Sequence, residues 1–429
     1  MATVNNPTVY HRKMDKPKPD TTAMKEGQQI PLANTWNTIP THKKQIGKAS
    51  FVIPLDIEKQ LLPSPKISLK ALTDFSMPSQ SKSSNQKSLT HFFSKEVPSP
   101  TSAAVTIRLR RLPTPDPCTV RQLVEFSQQA WLDGFTSVHY SHLQSASETT
   151  TLFPLWVISY WNKVLDIKKI SNKWLKSRDW ITKQLRQNKS TECRLLAEET
   201  SIMLTVLPWG EKKPDGVSEG GDPIHVLSRY LGPNWLANAE QDEMLELMRV
   251  KLLEDPKAYA RFRLQNTYFT EKLLNEFDSK ANYQTNKSSA WLRHLGDEVV
   301  QGNAVLVTVV HLGKINDTPH WVPLVVEKGE IRYGDSFGTG IPERLQSAFI
   351  WWLRQHHIFD PSIQQLPVTT QTDGHSCGIL ADNALCHFVN LISSPLLGNA
   401  ESDVIKYRLR TFNLVAESIL ARVSDKINI

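Results

Sequence analysis

The spacing of apolar residues changes twice along the chain and divides it into three stretches. Over residues 1–104 apolar positions are sparse and without period, separated by Pro, Ser, Thr, Asn and Gln. Such a stretch buries too little apolar surface to offset chain entropy, which predicts a disordered arm. Residues 105–210 turn helical in pattern. Val105–Arg111 reads as a strand or a lead-in segment and Pro113–Pro117 as a linker. Val120–Asp133 then sets Leu123, Val124, Phe126, Ala130 and Trp131 on one helical face, and Leu152–Leu175 continues as a longer, aromatic-rich helix. Trp156, Trp161, Trp174 and Trp180, with Leu155, Ile158, Val164, Leu165 and Ile170, supply a small helical core. The Gly- and charge-rich run 211–221 predicts a linker.

Residues 222–429 mix both periods. Gln241–Leu253 and Phe269–Phe277 are helical in pattern. Val305–Val310 and Trp321–Val326 are β-branched apolar runs, Glu330–Tyr333 is a short third strand, and Gln364–Thr370 is a fourth. Pro342 to Gln355 is a helix with Pro at its start. After Cys377, residues Ile379, Leu380, Ala384, Leu385, Phe388 and Val389 recur at helical spacing. Ile405, Leu409, Phe412, Leu414, Val415 and Ile419 place further helices on the same domain. The class predicted is α+β, a central mixed or antiparallel sheet with helices around it.

Composition narrows the setting. With 40% hydrophobic and 22% charged residues, and no run near 18 apolar residues, no transmembrane helix is expected. The N-terminus lacks an apolar h-region, so no secretory signal is expected. Four cysteines are too few and too scattered for a disulfide framework, which favours a reducing compartment, nucleus or cytosol. Residues 1–100 carry 14 Lys/Arg against 7 Asp/Glu, and the remaining residues balance at 36 against 36. The basic character therefore belongs to the arm, either as a solvated tail or as weak nuclear targeting or nucleic-acid contact. Lys168, Lys169, Lys173 and Lys176 interleave with tryptophans, which suits base stacking but equally the solvated faces of amphipathic helices. Direct nucleic-acid binding is not expected.

The chemistry concentrates between His311 and Asn390. His320, Asp335 in a Gly-Asp-Ser turn, Gln371 and Cys377 followed by Gly378 form, in order, a base, an orienter, an oxyanion donor and a nucleophile. A thiol attacks as its thiolate, and Cys377 falls at a helix N-terminus, where free N–H groups and the macrodipole favour negative charge. An imidazolium at His320 would favour it further. Asp335 would orient that imidazole, while the Gln371 amide and the Cys377 backbone N–H would meet a developing oxyanion. Asp317, in a turn before His320, suits the orienting role less well. A zinc site from His375, Cys377, Cys386 and His387 has no Cys-x-x-Cys pair behind it, and no cofactor or metal is expected. Cys386, mid-helix among apolar residues, reads as a structural hydrophobe, and His311, His356 and His357 read as packing or surface residues.

The order His-Trp, Asp-Ser and Gln-x5-Cys-Gly resembles the Ulp/SENP cysteine peptidases that process and remove SUMO and related modifiers. The likeness runs from about Asp222 to the C-terminus, and Trp235-Leu236 followed by an amphipathic helix resembles the opening of that family's domain. It implies a papain-like, adenain-type domain over 222–429, preceded by the helical region 105–210 and the arm 1–104. It implies a His320–Asp335–Cys377 triad with Gln371 at the oxyanion hole. Trp321 would wall a channel for the substrate's Gly-Gly tail, with Trp235 beside it. The implied partner is a SUMO-like ubiquitin-like protein and its conjugates. Two residues depart from the family's loop: Ser376 stands where Asp commonly precedes the Cys, and Asp373 where Asn is common. The alternatives are a modifier-binding adaptor of low activity, and a same-fold protease acting on another substrate.

Two short motifs lie in the arm. Gln86, Leu89, Phe92 and Phe93 resemble a PIP box, a peptide that plugs into a DNA sliding clamp, which would tether the chain to that partner. Val52-Ile53-Pro54-Leu55-Asp56 approximates a SUMO-interaction motif that adds a strand to a sheet edge, or is a stray apolar cluster.

Overall fold

The computed structural model describes residues 41–81, 89–98, 102–140, 152–214, 221–313, 319–390 and 394–427. In chain order the elements are helices α1 (Thr41–Ala49), α2 (Leu55–Leu61) and α3 (Leu69–Asp74), strand β1 (Phe93–Ser94), α4 (Ser102–Arg111), α5 (Pro117–Leu132), β2 (Ser137–His139), β3 (Leu152–Pro154), α6 (Trp156–Gln187) and α7 (Thr191–Val206). There follow α8 (Asn238–Leu252), α9 (Pro256–Arg261), β4 (Phe262–Gln265), α10 (Tyr268–Asp278), α11 (Ala290–Val300), β5 (Val305–His311), β6 (Trp321–Glu327), β7 (Glu330–Tyr333), α12 (Glu343–Gln355), β8 (Ser362–Gln365), α13 (Cys377–Val389) and α14 (Glu401–Ile427).

The strands β4 to β8 form one sheet in sequence order. Its outer pairs, β4 with β5 and β7 with β8, are parallel, and β5–β6–β7 is antiparallel. The mixed sheet and the α+β class thus agree with the pattern of the sequence. Lys328 and Gly329, both at positive φ, make the two-residue turn that joins β6 to β7. On one face, Leu306, Leu324 and Ile331 pack with Phe349 and Trp352 of α12 and Phe269 of α10. On the other, Val307, Trp321 and Val325 pack with Met248 of α8 and Cys377, Ala381 and Leu385 of α13. Every residue from Cys377 to Leu385 is buried, Asp382 and Asn383 with hydrogen-bond partners, so α13 runs through the interior.

The aromatic helix starts later and runs further than its pattern, over Trp156–Gln187 with Trp156, Trp161 and Trp174 buried, while Leu152–Pro154, read as its first turn, is strand β3. Three further readings are corrected. Val105–Arg111 lies in helix α4 rather than a strand, because α2 packs on it and buries Val105 and Leu109, one turn apart. The described part of the arm, 41–81 and 89–98, is folded: Ile53, Ile57, Leu61, Leu69 and Leu72 enter the core of α6 and α7, whose surface they need to be buried at all. The segment 211–221 is not a free linker where it is described, since Lys213 N–H donates to Asp222 O at 2.8 Å and Ile224 N–H to Glu211 O at 2.8 Å.

The clamp-binding motif is also corrected. Phe93 is 5% exposed in β1, against Phe126 and Phe135, and Phe92 stacks on Tyr140 at 6.3 Å. Leu89 packs on the same core, and Gln86 lies outside the described residues. Phe93 is core and Leu89 and Phe92 are partly buried against it, so the aromatic pair is not held out as a plug. Phe93→Ala is therefore expected to lower unfolding free energy by about 3–5 kcal/mol, read by denaturant titration. In the second motif Val52 and Leu55 are exposed while Ile53 is buried, and Leu55 already begins α2, so no free strand is presented.

Helix α14 does not pack on the C-terminal half alone. Leu409, Phe412, Val415, Ala416 and Ile419 share one core with Trp174, Cys193, Ala197 and Leu204, and Asn413 Oδ1 accepts from Thr200 Oγ1 at 2.8 Å. No helix among the described residues is long and apolar enough to cross a membrane.

Candidate active site

His320 immediately precedes β6 and Asp335 follows β7, so two neighbouring antiparallel strands bring both to one end of the sheet. Gly334 permits the turn: a Cβ there would meet Leu366 O at 2.8 Å. His320 Nε2 lies 2.9 Å from Asp335 Oδ1. Asp335 Oδ1 also accepts the Phe337 N–H at 2.7 Å, and its Oδ2 accepts from the hydroxyls of Thr339 and, at 3.5 Å, Tyr333. Burial works against the Asp335 charge, but the hydrogen bonds from His320, Thr339 and Phe337 hold its carboxyl below the usual range.

The third partner is Cys377, first residue of α13 and 3% exposed. Since Asp335 takes Nε2, Nδ1 is the ring nitrogen left for the sulfur. Burial disfavours an imidazolium at His320, yet hydrogen bonds to Asp335 and Cys377 and the charges of both outweigh it and push its pKa up to about 9. The ring of Phe337, half-exposed, stacks on His320 at 4.8 Å.

The loop before Cys377 is organised by Asp373. Its Oδ1 accepts the N–H groups of His375 and Ser376, each at 2.8 Å, and its Oδ2 accepts the Ser376 hydroxyl at 2.6 Å. The two departures in this loop therefore bond each other. Gln371 sits in the same loop, with Oε1 accepting from Ser336 Oγ at 2.9 Å. Its Nε2 donates to Asp373 O at 2.8 Å and Oδ1 at 3.2 Å. The Cys377 N–H, first in its helix, has no intrahelical acceptor. Gly378 is tightly enclosed, because a Cβ on it would lie 2.2 Å from Gln241 Nε2.

Trp235, one residue before Leu236 and at the threshold of α8, is 45% exposed. Trp321 is 2% exposed, with its indole N–H donated to Leu236 O at 2.8 Å and its ring 4.6 Å from His311. Trp235 is thus the ring that reaches the surface, and Trp321 braces its strand from beneath.

Other candidates disperse. Cys386 faces the Tyr407 hydroxyl, His387 Nδ1 faces Ser394 O, and no cluster of three or more metal-ligating side chains occurs among the described residues. His356 is a packing residue between Tyr283 and Asp297, and Asp317 lies outside the described residues. Sequence reasoning missed Phe337, Thr339 and Arg408. Arg408, from α14, is 1% exposed and donates to Asn234 O at 3.0 Å and His375 O at 3.1 Å. The aromatic two residues past Asp335 was a visible signal for the first, whereas nothing local marks Arg408 as a neighbour of the site.

No family model matches the chain. It is similar to a putative ubiquitin-like-specific protease 1B of Arabidopsis thaliana, 24% identical over 234 residues, and the match covers 50% of this chain and 64% of that relative. Among solved structures, the SUMO protease Ulp1 with its catalytic cysteine oxidised to a sulfinic acid is 16% identical, with a TM-score of 0.36 over 57% of this chain and 95% of its own. The Ulp1 protease domain in complex with Smt3, the yeast orthologue of SUMO, is 17% identical, with a TM-score of 0.36 over 57% and 96%. The Xanthomonas campestris effector XopD bound to ubiquitin is 18% identical, with a TM-score of 0.27 over 41% and 90%.

Proposed function

We propose that the chain is a thiol isopeptidase that cleaves after the C-terminal Gly-Gly of a SUMO-like modifier. The observation that carries this reading is the buried His320–Asp335 pair, at 2.9 Å, whose imidazolium is held up by the charge of Cys377, the cysteine that opens an interior helix. The Cys377 thiolate attacks the terminal glycyl carbonyl, and the Cys377 N–H with the Gln371 amide meets the oxyanion. The His320 imidazolium protonates the departing amine, leaving a thioester between Cys377 and the modifier. Water, deprotonated by His320, then releases the modifier's carboxylate and the free thiol. Trp235 is the surface aromatic against which the glycines would lie.

A second reading has one observation behind it. Gln371 Nε2 already donates to Asp373, so a domain that binds the modifier and turns it over slowly fits the same atoms. The test is incubation with SUMO, ubiquitin and other modifiers that carry a C-terminal thiol-reactive group. Capture at Cys377 supports the isopeptidase and identifies the modifier, whereas binding without capture supports the slow binder. Capture by none of them, together with cleavage of other peptides, sinks both.

The pH dependence follows from His320. Its charged form is the one the ion pair needs and is held to about 9, above its ordinary 6.5. Turnover is expected to fall as pH rises through about 9, where the imidazolium is lost. A rate profile of kcat/KM from pH 6 to 10 checks it.

A further inference from the structure

We propose that Arg408 is a positioning residue for Cys377, a buried cation that ties the nucleophile loop to the Trp235 loop and favours the thiolate. The inference rests on reading Cys377 as the nucleophile and adds a group from α14, about thirty residues beyond it in sequence. One guanidinium nitrogen, Nη2, donates both to Asn234 O, the residue before Trp235, and to His375 O, two residues before Cys377. Nη1 reaches Arg229 O at 3.4 Å. A displacement of this side chain therefore moves both walls of the site together.

All its hydrogen bonds are to backbone carbonyls. Arg408 forms no ion pair among the described residues, and its Nε has no partner there. A buried guanidinium without a carboxylate contact is costly to keep charged, and its nearest compensation is whatever negative charge the site develops. Burial accordingly pushes Arg408 down to about 10, while the charges of Asp373 and Cys377 hold it up. Coulombic interaction is mutual: a cation stabilised by the Cys377 thiolate stabilises that thiolate.

Several other groups act on the same sulfur. His320, with Asp335 behind it, approaches from β6. Asp373 and His375 lie in the loop, and the N-terminus of α13 carries Cys377 itself. Asp373 opposes the thiolate, and Arg408 offsets it. His375 adds little positive charge, because burial lowers its pKa and Arg408 lowers it further, against Asp373.

The experiment is alkylation of Cys377 by iodoacetamide across pH 4–10 in the full chain, with peptide mass spectrometry separating Cys377 from Cys118, Cys193 and Cys386. The variants are Arg408→Gln, which keeps donors and loses charge, and Arg408→Lys, which keeps charge. In Arg408→Gln the pH of half-maximal alkylation is expected to rise by about one unit, a tenfold loss of thiolate below the midpoint. Arg408→Lys should stay near the wild-type midpoint. A Gln variant that is folded by near-ultraviolet circular dichroism and has the wild-type midpoint overturns the proposal, as does a Lys variant that behaves like Gln. Should neither variant fold, the unsubstituted protein still decides: the Arg408 guanidinium nitrogen resonances shift as Cys377 titrates or is alkylated, and no shift overturns it. Alkylation uses no modifier, so failure to process one is a separate result.

Discussion

Cys377→Ala is expected to abolish covalent capture by modifiers carrying a C-terminal electrophile and to lower cleavage by about 10⁴- to 10⁶-fold. The size of the effect follows from what remains. Without the sulfur, His320 and Asp335 still form their pair, and the Cys377 backbone N–H still points from the first turn of α13, but nothing is left to form a thioester. Water would have to attack directly, with His320 as its base. The substitution removes one sulfur from a site that is 3% exposed, so a stability loss of only about 1–2 kcal/mol is expected. Gel-shift capture and a fluorogenic Gly-Gly substrate read the chemistry, and thermal melting reads the fold. Capture that persists in the variant would move the nucleophile elsewhere.

Asp335→Asn is expected to cost about 10⁴-fold in kcat while leaving the protein folded. An amide oxygen in place of Oδ1 still accepts from His320 Nε2 and the Phe337 N–H. An amide N–H₂ in place of Oδ2 faces the hydroxyls of Thr339 and Tyr333, which can turn to accept. Geometry therefore survives and charge does not. The His320 imidazolium loses the carboxylate behind it, so the alkaline limb expected near 9 moves down. Kinetics at several pH values separate this from unfolding, which would lower activity at every pH alike. An unchanged alkaline limb would remove Asp335 from its orienting role.

The C-terminal half was legible because its signals are local. A β-branched run on either side of His320, a Gly-Asp turn and helical spacing after Cys377 each report a feature within about a dozen residues, and all three lie where they were read. Trp321 misled because sequence says that a ring stands next to His320, not which way its strand faces. β6 is buried on both sides, and the ring points inward to Leu236 and His311. Residues 41–81 and 89–98 misled for another reason. Their apolar residues are too few to form a core by themselves, so a composition argument assigns them to disorder; α6 and α7 supply the missing surface from elsewhere in the chain. Arg408 was invisible because its relation to Asn234 and His375 exists only in three dimensions.

The shared core of α6, α7 and α14 bears on how the chain can be dissected. Cutting at residue 222, the boundary sequence suggests, would strip Leu409, Phe412, Val415 and Ile419 of their cover and leave an apolar stripe facing water. It would also take Lys213 from Glu243, two side chains that meet almost without solvent. A recombinant piece beginning at residue 222 is therefore a sticky, half-dressed fragment, and a shortened chain that keeps this core covered has to retain α2, α3, α6 and α7.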